Sequence, residues 1–374
     1  MIRAFLLEIK EIKNSFYLFS LLTWIPLVSF LLIIAIFHKG VANNLPISVV
    51  DYDKSKLSRL VITQINANQT LRVMHVSNDL KQASTELKNT KTYATVVIPK
   101  HFERDTIQKK QPHITAFVNT QYLLIGKMIN AALSSTIQKS AGRINYLSNL
   151  TQDGQSETAL YKTAPIHFQI TPFFNTYKNY FLFLVSAIIP ALWQILIVIA
   201  IISSIGITFK TKKENEFFKD TNIFFALIGK TLPYTLIYLG WGILFLAYMY
   251  GFEPWEFQGS FGVTILAMLL TILAYEGMAL SFFVINFHYT RALSLAAFYT
   301  APAFAFLGIT FPLSSMPEFA TFWHNFLPLS HYLKIQISQA SYGTSLVDII
   351  PLFQNLLLFL PVWAFVVLKI RKKI

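Results

Sequence analysis

FKTKKENEFFKDTNIFFALIGK, residues 209–230, is the most charged short loop in the C-terminal half of the chain, and it lies between two long apolar runs. Phe217, Phe218, Thr221, Phe224, Phe225 and Ile228 recur at helical spacing, with Lys213, Glu216, Lys219 and Asp220 on the opposite side. That pattern predicts a short amphipathic helix lying at a membrane surface. A plain basic connection between two helices has the same composition. The functional alternative is a handle, through which something in the cytoplasm moves the apolar segments.

The flanking runs set the class. Residues 181–209 and 231–252 carry no charge, 257–287 is broken only by Glu276, and 292–312 and 349–368 follow. With 16–37 near the N-terminus, these predict roughly six spans of a hydrocarbon core about 30 Å thick. Composition agrees: 54% of the 374 residues are hydrophobic and 13% charged, about half the ~25% charge of a soluble domain. The formal net charge of +13 does not imply nucleic acid, because Lys and Arg at span ends set orientation and meet anionic lipid. The absence of cysteine excludes disulfides, thiol catalysis and Cys-ligated metal.

Residues 1–37 comprise a lead-in helix, with Phe5, Ile9 and Ile12 as its buried side, and a first span. A cleaved signal peptide would have a shorter apolar region and a small-residue cleavage site, so an uncleaved anchor is favoured. Residues 38–178 are polar and charged, with strand patterns at 46–50, 71–76, 93–98 and 114–118 alternating with helical ones at 55–67 and 78–87, the latter capped by Asn78. A long helical stretch runs from 122 towards 150. The segment is an α/β domain. Asp51 and Asp53, in VVDYDKS, either form a cation or substrate site or cap the next helix.

Residues 179–374 form a five-helix membrane domain. Its mixed segment 312–346 is aromatic and Pro-rich and predicts a re-entrant or interfacial pair of short helices on the outer side. Lys and Arg in the lead-in, the 209–230 loop, the turn at Arg291 and the tail KIRKKI place these on one side, the cytoplasmic one, so both termini are cytoplasmic and the α/β domain is outside. The loop at Glu253 and Glu256 has no Lys or Arg and falls on the outer side.

No catalytic motif stands out. Gly229-Lys230-Thr231 has the end of a phosphate-binding loop, but Phe224 stands where the first glycine is needed and no strand precedes it. His288, His324 and His331 lack metal-ligand spacing with carboxylates. No catalytic, cofactor or metal residue is therefore assigned.

The arrangement resembles the membrane (permease) subunits of ABC-2 type exporters, in the subgroup with one anchor, a large external domain and five further spans. PFFNTYKNYFLFLVSAIIP (172–190) is similar to the family's segment before the second span, and Gly229-Lys230 to the pair opening the third. FPLSSMPEF (311–319) resembles the Pro and Met-Pro segment after the fifth, and NFLPLSHYLKIQISQASYG (325–343) the Pro-led helix with its closing Gly. The family's cytoplasmic loop usually reads E-x-E-x-G-T. Here Glu214 and Glu216 keep the acids, while the Gly-Thr becomes Lys219 to Thr221.

The resemblance implies an α-helical polytopic protein with an inserted extracytoplasmic α/β domain. It would be a multi-pass protein of the bacterial inner membrane that exports an amphipathic or drug-like substrate. It would work as a dimer with a second permease copy or a paralogue, and with an ABC ATP-binding subunit that carries ATP and Mg. A periplasmic adaptor and membrane lipid are expected partners, and nucleic acid is not. Glu214, Glu216, Phe217, Lys219, Phe224, Gly229 and Lys230 would couple to the ATPase. Glu276, Met316 and Pro317 would lie on a gate or substrate path. For Glu276 the alternative is a protonated or locally paired packing residue, with Tyr275 or Ser281 as partner. Two other functions fit the pattern less well: an ABC-driven mechanotransmission protein, and a membrane-anchored binding or receptor protein without transport.

Overall fold

The computed structural model describes residues 1–40, 42–108, 110–153, 174–175, 179, 181–219, 222–252 and 255–374. Two compact units emerge: Met1–Gly40 with Pro172–Ile374, and Val41–Thr171.

The first unit begins with α1 (Ile2–Asn14), α2 (Phe16–Leu22) and α3 (Trp24–Phe37). Ser15 separates α1 from α2 in an extended conformation, and its hydroxyl accepts from the Leu18 N–H at 3.3 Å, which starts the new helix. The buried stripe of α1 is Ala4, Glu8, Glu11 and Ile12, with Phe5 and Ile9 only half-buried. The face expected from Phe5, Ile9 and Ile12 is thus rotated. Lipid can cover apolar side chains, whereas carboxylates at this depth need protein donors.

The second unit is an α/β domain: β1 (Leu45–Asp51), α4 (Lys56–Asn66), β2 (Leu71–Ser77), α5 (Leu80–Lys88), β3 (Ala94–Ile98), α6 (Phe102–Ile107), β4 (Thr115–Val118) and α7 (Leu123–Asp153). The sheet order is β2-β1-β3-β4, with β1 parallel to both neighbours and β3 antiparallel to β4. Parallel strands enclosed by crossovers read as continuous apolar runs, and ISVV of β1 and ATVVI of β3 do so. Ile47, Val49, Val96 and Ile98 pack against Val61 and Ile65 of α4 and Ile129 and Leu133 of α7.

The acids of VVDYDKS close turns here. Asp51 accepts from the N–H groups of Asp53 and Lys54 at 3.0 Å and from the Ser58 hydroxyl at 2.7 Å. Asp53 reaches across to the Glu103 N–H at 3.0 Å, so it caps α6 rather than the helix that follows it. Burial opposes the Asp53 carboxylate, but the Ser55 hydroxyl and the amides of Glu103, Phe102 and His101 outweigh it and hold its pKa below the usual range. α5 is capped by Asp79, whose carboxylate accepts from the Lys81 N–H at 2.8 Å, and not by Asn78.

The first unit resumes with α8 (Ser186–Lys210), α9 (Glu214–Phe218), α10 (Ile223–Ala247), α11 (Phe261–Asn286), α12 (Tyr289–Thr300), α13 (Ala303–Phe306), α14 (Glu318–Asn325), α15 (Pro328–Ile337), α16 (Leu346–Leu357) and α17 (Val362–Lys373). Among the described residues five segments are long and apolar enough to span a membrane: Phe16–Phe37, Phe181–Lys210, Ile223–Phe252, Phe261–Asn286 and Leu346–Lys373. The run 292–312, counted as a sixth from its length, is divided between α12 and α13 by a turn at Ala301 and Pro302. Proline supplies no amide for the carbonyl four residues earlier, which interrupts the ladder there. Glu253, on which the outer loop assignment leaned, and Pro172 and Phe173, which open the first quoted family segment, lie outside the described residues.

α11 is packed against α8, α10, α12, α15 and α17, and it and α8 are the most enclosed of the five spans. Two prolines leave carbonyls without helical partners, and other helices supply donors. Pro26 frees the Leu22 carbonyl, which accepts from the Trp241 indole N–H at 2.9 Å. Pro190 frees the Ser186 carbonyl, which accepts from the Gln336 amide at 3.1 Å.

Candidate functional site

The 209–230 stretch is not one helix. α9 ends at Phe218, Lys219 is extended, and Asn222 caps α10 by accepting from the Phe224 N–H at 3.0 Å. Asp220 and Thr221, which completed the predicted faces, lie outside the described residues. The break divides the expected apolar face. Phe217 and Phe218 of α9 are buried, whereas Phe224 and Phe225 belong to the first turn of α10 and are 40% and 51% exposed. Phe224 therefore does not anchor the loop in the core, although its ring lies 6.5 Å from that of Trp363. Glu214 is half-buried, and Glu216 and Lys219 are exposed.

Phe217, Gly229 and Lys230 converge on α1. Lys230 is 1% exposed and forms an ion pair with Glu8, which is 0% exposed. Glu8 also accepts from the hydroxyls of Ser204, on α8, and Tyr234, on α10, each at 2.6 Å. The Lys230 ammonium stands over the Phe217 ring, 4.0 Å from its centroid. Lys230 and Tyr234 are one helical turn apart, so both reach the same carboxylate. Gly229 leaves room for α1: a Cβ there would run into the Met1 carbonyl and the Ala4 side chain.

A second ion pair runs alongside. Lys213, at the start of α9, donates to Glu11 at 3.1 Å. Between these elements lies a cleft of about 240 Å³, whose walls include Lys10, Glu11, Asn14, Lys213, Glu216 and Phe217. Charges of both signs at its rim, above a buried ionic core, make a surface that a complementary protein could grip.

Glu276 is the other buried carboxylate. It lies on α11, fully enclosed, and accepts from the Thr235 hydroxyl of α10 at 2.7 Å. The local partners expected for it are engaged elsewhere: Tyr275 donates to Gln194, and Ser281 donates to the Met278 carbonyl at 2.7 Å. Among the described residues its second oxygen has no hydrogen-bond partner. Met316 and Pro317 lead into α14, half-buried and exposed respectively, and take no part in the Glu276 hydrogen bond.

Among the described residues no group of three or more His, Asp or Glu gathers in a way that could hold a metal ion. Sequence reasoning missed Glu8, Glu11, Ser204, Lys213 and Tyr234 as members of one cluster. The available signals were two acids spaced three apart on the lead-in helix, and a lysine opening an apolar run with a tyrosine one turn later.

A family model described as ABC-2 family transporter protein matches residues 15–369. No curated protein matches the chain.

Proposed function

The chain belongs to the ABC-2 transporter family, and from that premise we propose that it is the permease subunit of an exporter, carrying an amphipathic or drug-like substrate outward across a bacterial cytoplasmic membrane. It is a multi-pass membrane protein, and membrane subunits of this family generally partner with an ATP-binding subunit. That subunit holds ATP and Mg and hydrolyses ATP. Two permease copies, or one with a paralogue, form the path. Both termini face the cytoplasm, the α/β domain lies outside, and a periplasmic adaptor engages that domain.

The observation that carries the reading is the match over 15–369 on a chain in which, among the described residues, five helices are long and apolar enough to span a membrane, with a polar loop between the second and third of them. The loop's exposed Glu216 and Lys219 and half-buried Glu214 are available to a partner, while Phe217, Gly229 and Lys230 tie the same region to the spans. This arrangement supports a coupling role for the loop. Glu276, buried between α10 and α11, is the gate residue, with Met316 and Pro317 at the outer mouth.

The test is co-expression of the full chain with candidate ATP-binding subunits, followed by co-purification and transport of an amphipathic dye into inside-out vesicles. ATP-dependent dye accumulation supports the reading. Failure to retain any ATP-binding subunit, or uptake that ignores ATP, overturns it.

A further inference from the structure

Three helices meet at one carboxylate, and a fourth joins them through its lysine partner. Glu8 of α1 accepts from Ser204 of α8 and from Lys230 and Tyr234 of α10, and Lys230 covers Phe217 of α9. A buried ion pair is not the most stable way to fill such a space, because well-packed apolar groups of similar volume do as well or better. Its physical consequence is register. Apolar surfaces slide over one another at low cost. A carboxylate holding three donors cannot shift without stranding a charge in the interior.

Residues 213–217 reach the spans by two side-chain routes: one runs through α1, and the other lands on Lys230 of α10, which Glu8 of α1 holds in place. At the start of α9, Lys213 is bonded to Glu11. In its last turn, Phe217 lies under Lys230, which is paired with Glu8. The backbone route to α10 is interrupted, since Lys219 is extended and α10 begins afresh at its Asn222 cap, while the Lys213 N–H still donates to the Thr208 carbonyl of α8 at 3.0 Å.

Resting on the permease reading above, we propose that Glu8 is a positioning residue of the coupling apparatus: through Lys230 it makes α1, the adjoining end of α8 and the start of α10 one rigid body. A displacement of α9 is then passed to α8 and α10 together, because Glu8 of α1 locks their adjoining ends.

The chain contains no cysteine, so single cysteines report cleanly. Asn215→Cys in α9 and Leu244→Cys near the far end of α10, both exposed positions, are labelled one at a time with an environment-sensitive fluorophore in the full chain bound to its ATP-binding subunit. ATP with vanadate is added and the fluorescence change recorded. The parent protein should respond at both sites. The double variant Glu8→Gln with Lys230→Met removes both charges, leaves an acceptor for Ser204 and Tyr234, and should melt close to the parent. In that variant the response at 215 persists, while the response at 244 falls by about fivefold or more, the lower end of ordinary coupling energies. A residue serving only to hold the fold would give parental responses at both sites once the melting temperature is parental, and that outcome overturns the proposal. Phe217→Leu supplies a second arm that leaves the buried pair intact. It must also lower the response at 244, and a parental response there overturns the proposal even where the double variant does not assemble. Absence of any ATP response at 215 in the parent is a failure of the permease reading itself, and the inference falls with it.

Discussion

The indole N–H of Trp241 donates to the carbonyl of Leu22 at 2.9 Å, four residues before Pro26. Pro26 cannot donate to that carbonyl, so a side chain from α10 takes the place of a main-chain amide in the first span. In hydrocarbon no water would otherwise satisfy the group. The bond ties the N-terminal span to the bundle.

Trp241→Phe should lower the melting temperature in detergent by an amount corresponding to about 1–3 kcal/mol, the usual cost of an unsatisfied buried acceptor. Pro26→Ala restores a main-chain donor. Combined with Trp241→Phe it should recover most of the loss, giving a coupling energy of clear sign in a double-mutant cycle. Strict additivity of the two substitutions would show that the carbonyl is not the shared element.

Gly277 faces Trp363 so closely that an added Cβ would lie 2.8 Å from the indole nitrogen. That indole also donates to the Leu273 carbonyl at 2.9 Å. Gly277→Ala should therefore displace α17 from α11 and destabilise the fold by roughly 1–3 kcal/mol, as overpacking does. Trp363→Phe in the same background removes the indole nitrogen and should relieve part of the effect. A parental melting temperature for Gly277→Ala alone would count against the tight α11–α17 contact.

His324 and His331 set a pH dependence. The His324 Nδ1 lies 2.7 Å from the Phe306 carbonyl, and the His331 Nε2 lies 3.0 Å from the Asn325 carbonyl. A carbonyl only accepts, so these nitrogens carry the hydrogens. Among the described residues the opposite nitrogens have no hydrogen-bond partners. Burial pushes both imidazole pKa values down, with Lys334 adding to the shift. The folded state then binds fewer protons than the unfolded one, and stability is lost as pH falls below the unfolded value of about 6.5. The melting temperature should be level above that pH and decline below it. Replacing His324 by Asn and His331 by Gln, which keep an amide donor near the Nδ1 and Nε2 positions, should flatten the acid limb, and an unchanged slope would assign the dependence to other groups.

Elements built on local pattern were legible in the sequence. The strands of the α/β domain lie within a residue or two of their apolar runs, because alternation with helices and turn residues is encoded locally. The break inside 209–230 was not, since Phe spacing continues through it. The local signal was the run Asp220, Thr221 and Asn222, cap-type residues before an apolar run, of which Asn222 is the cap. The Glu8 cluster was illegible for a different reason. Its acid and its donors lie about two hundred residues apart, as the separation of 222 between Glu8 and Lys230 shows, and no periodicity connects them. The assumption that a lead-in helix buries its apolar side also misled. In a membrane protein the protein interior is where charged groups find partners, and lipid receives the rest.

The acidic face of the loop makes a separate claim. An exposed ion pair contributes only about 0–1 kcal/mol, so a single change at Glu214 or Glu216 should do little. Reversing both, Glu214→Lys with Glu216→Lys, should leave membrane insertion intact, weaken co-purification of the ATP-binding subunit and abolish substrate stimulation of ATP hydrolysis. If the double variant keeps both binding and export, docking belongs to another part of the cleft, such as Lys10 and Asn14 of the lead-in helix.

Glu276 makes the sharpest distinction between packing and function. A carboxylate at the centre of a span costs roughly 2.5–3.5 kcal/mol on insertion scales. The hydrogen bond from the Thr235 hydroxyl at 2.7 Å offsets only part of that. Glu276→Gln keeps the acceptor for Thr235, preserves the volume and removes the ionisable group, so the variant should insert, assemble and melt at or above the parental temperature. Glu276→Leu loses the bond as well and should melt lower than the Gln form, because the Thr235 hydroxyl is left without this acceptor. If the carboxyl serves packing alone, ATP-driven dye transport should follow that stability order, with the Gln form at least as active as the parent. If Glu276 is the gate, transport by Glu276→Gln falls while its melting temperature does not. Full transport by the Gln form would remove any required charge at this position and leave Glu276 as a packing residue between α10 and α11.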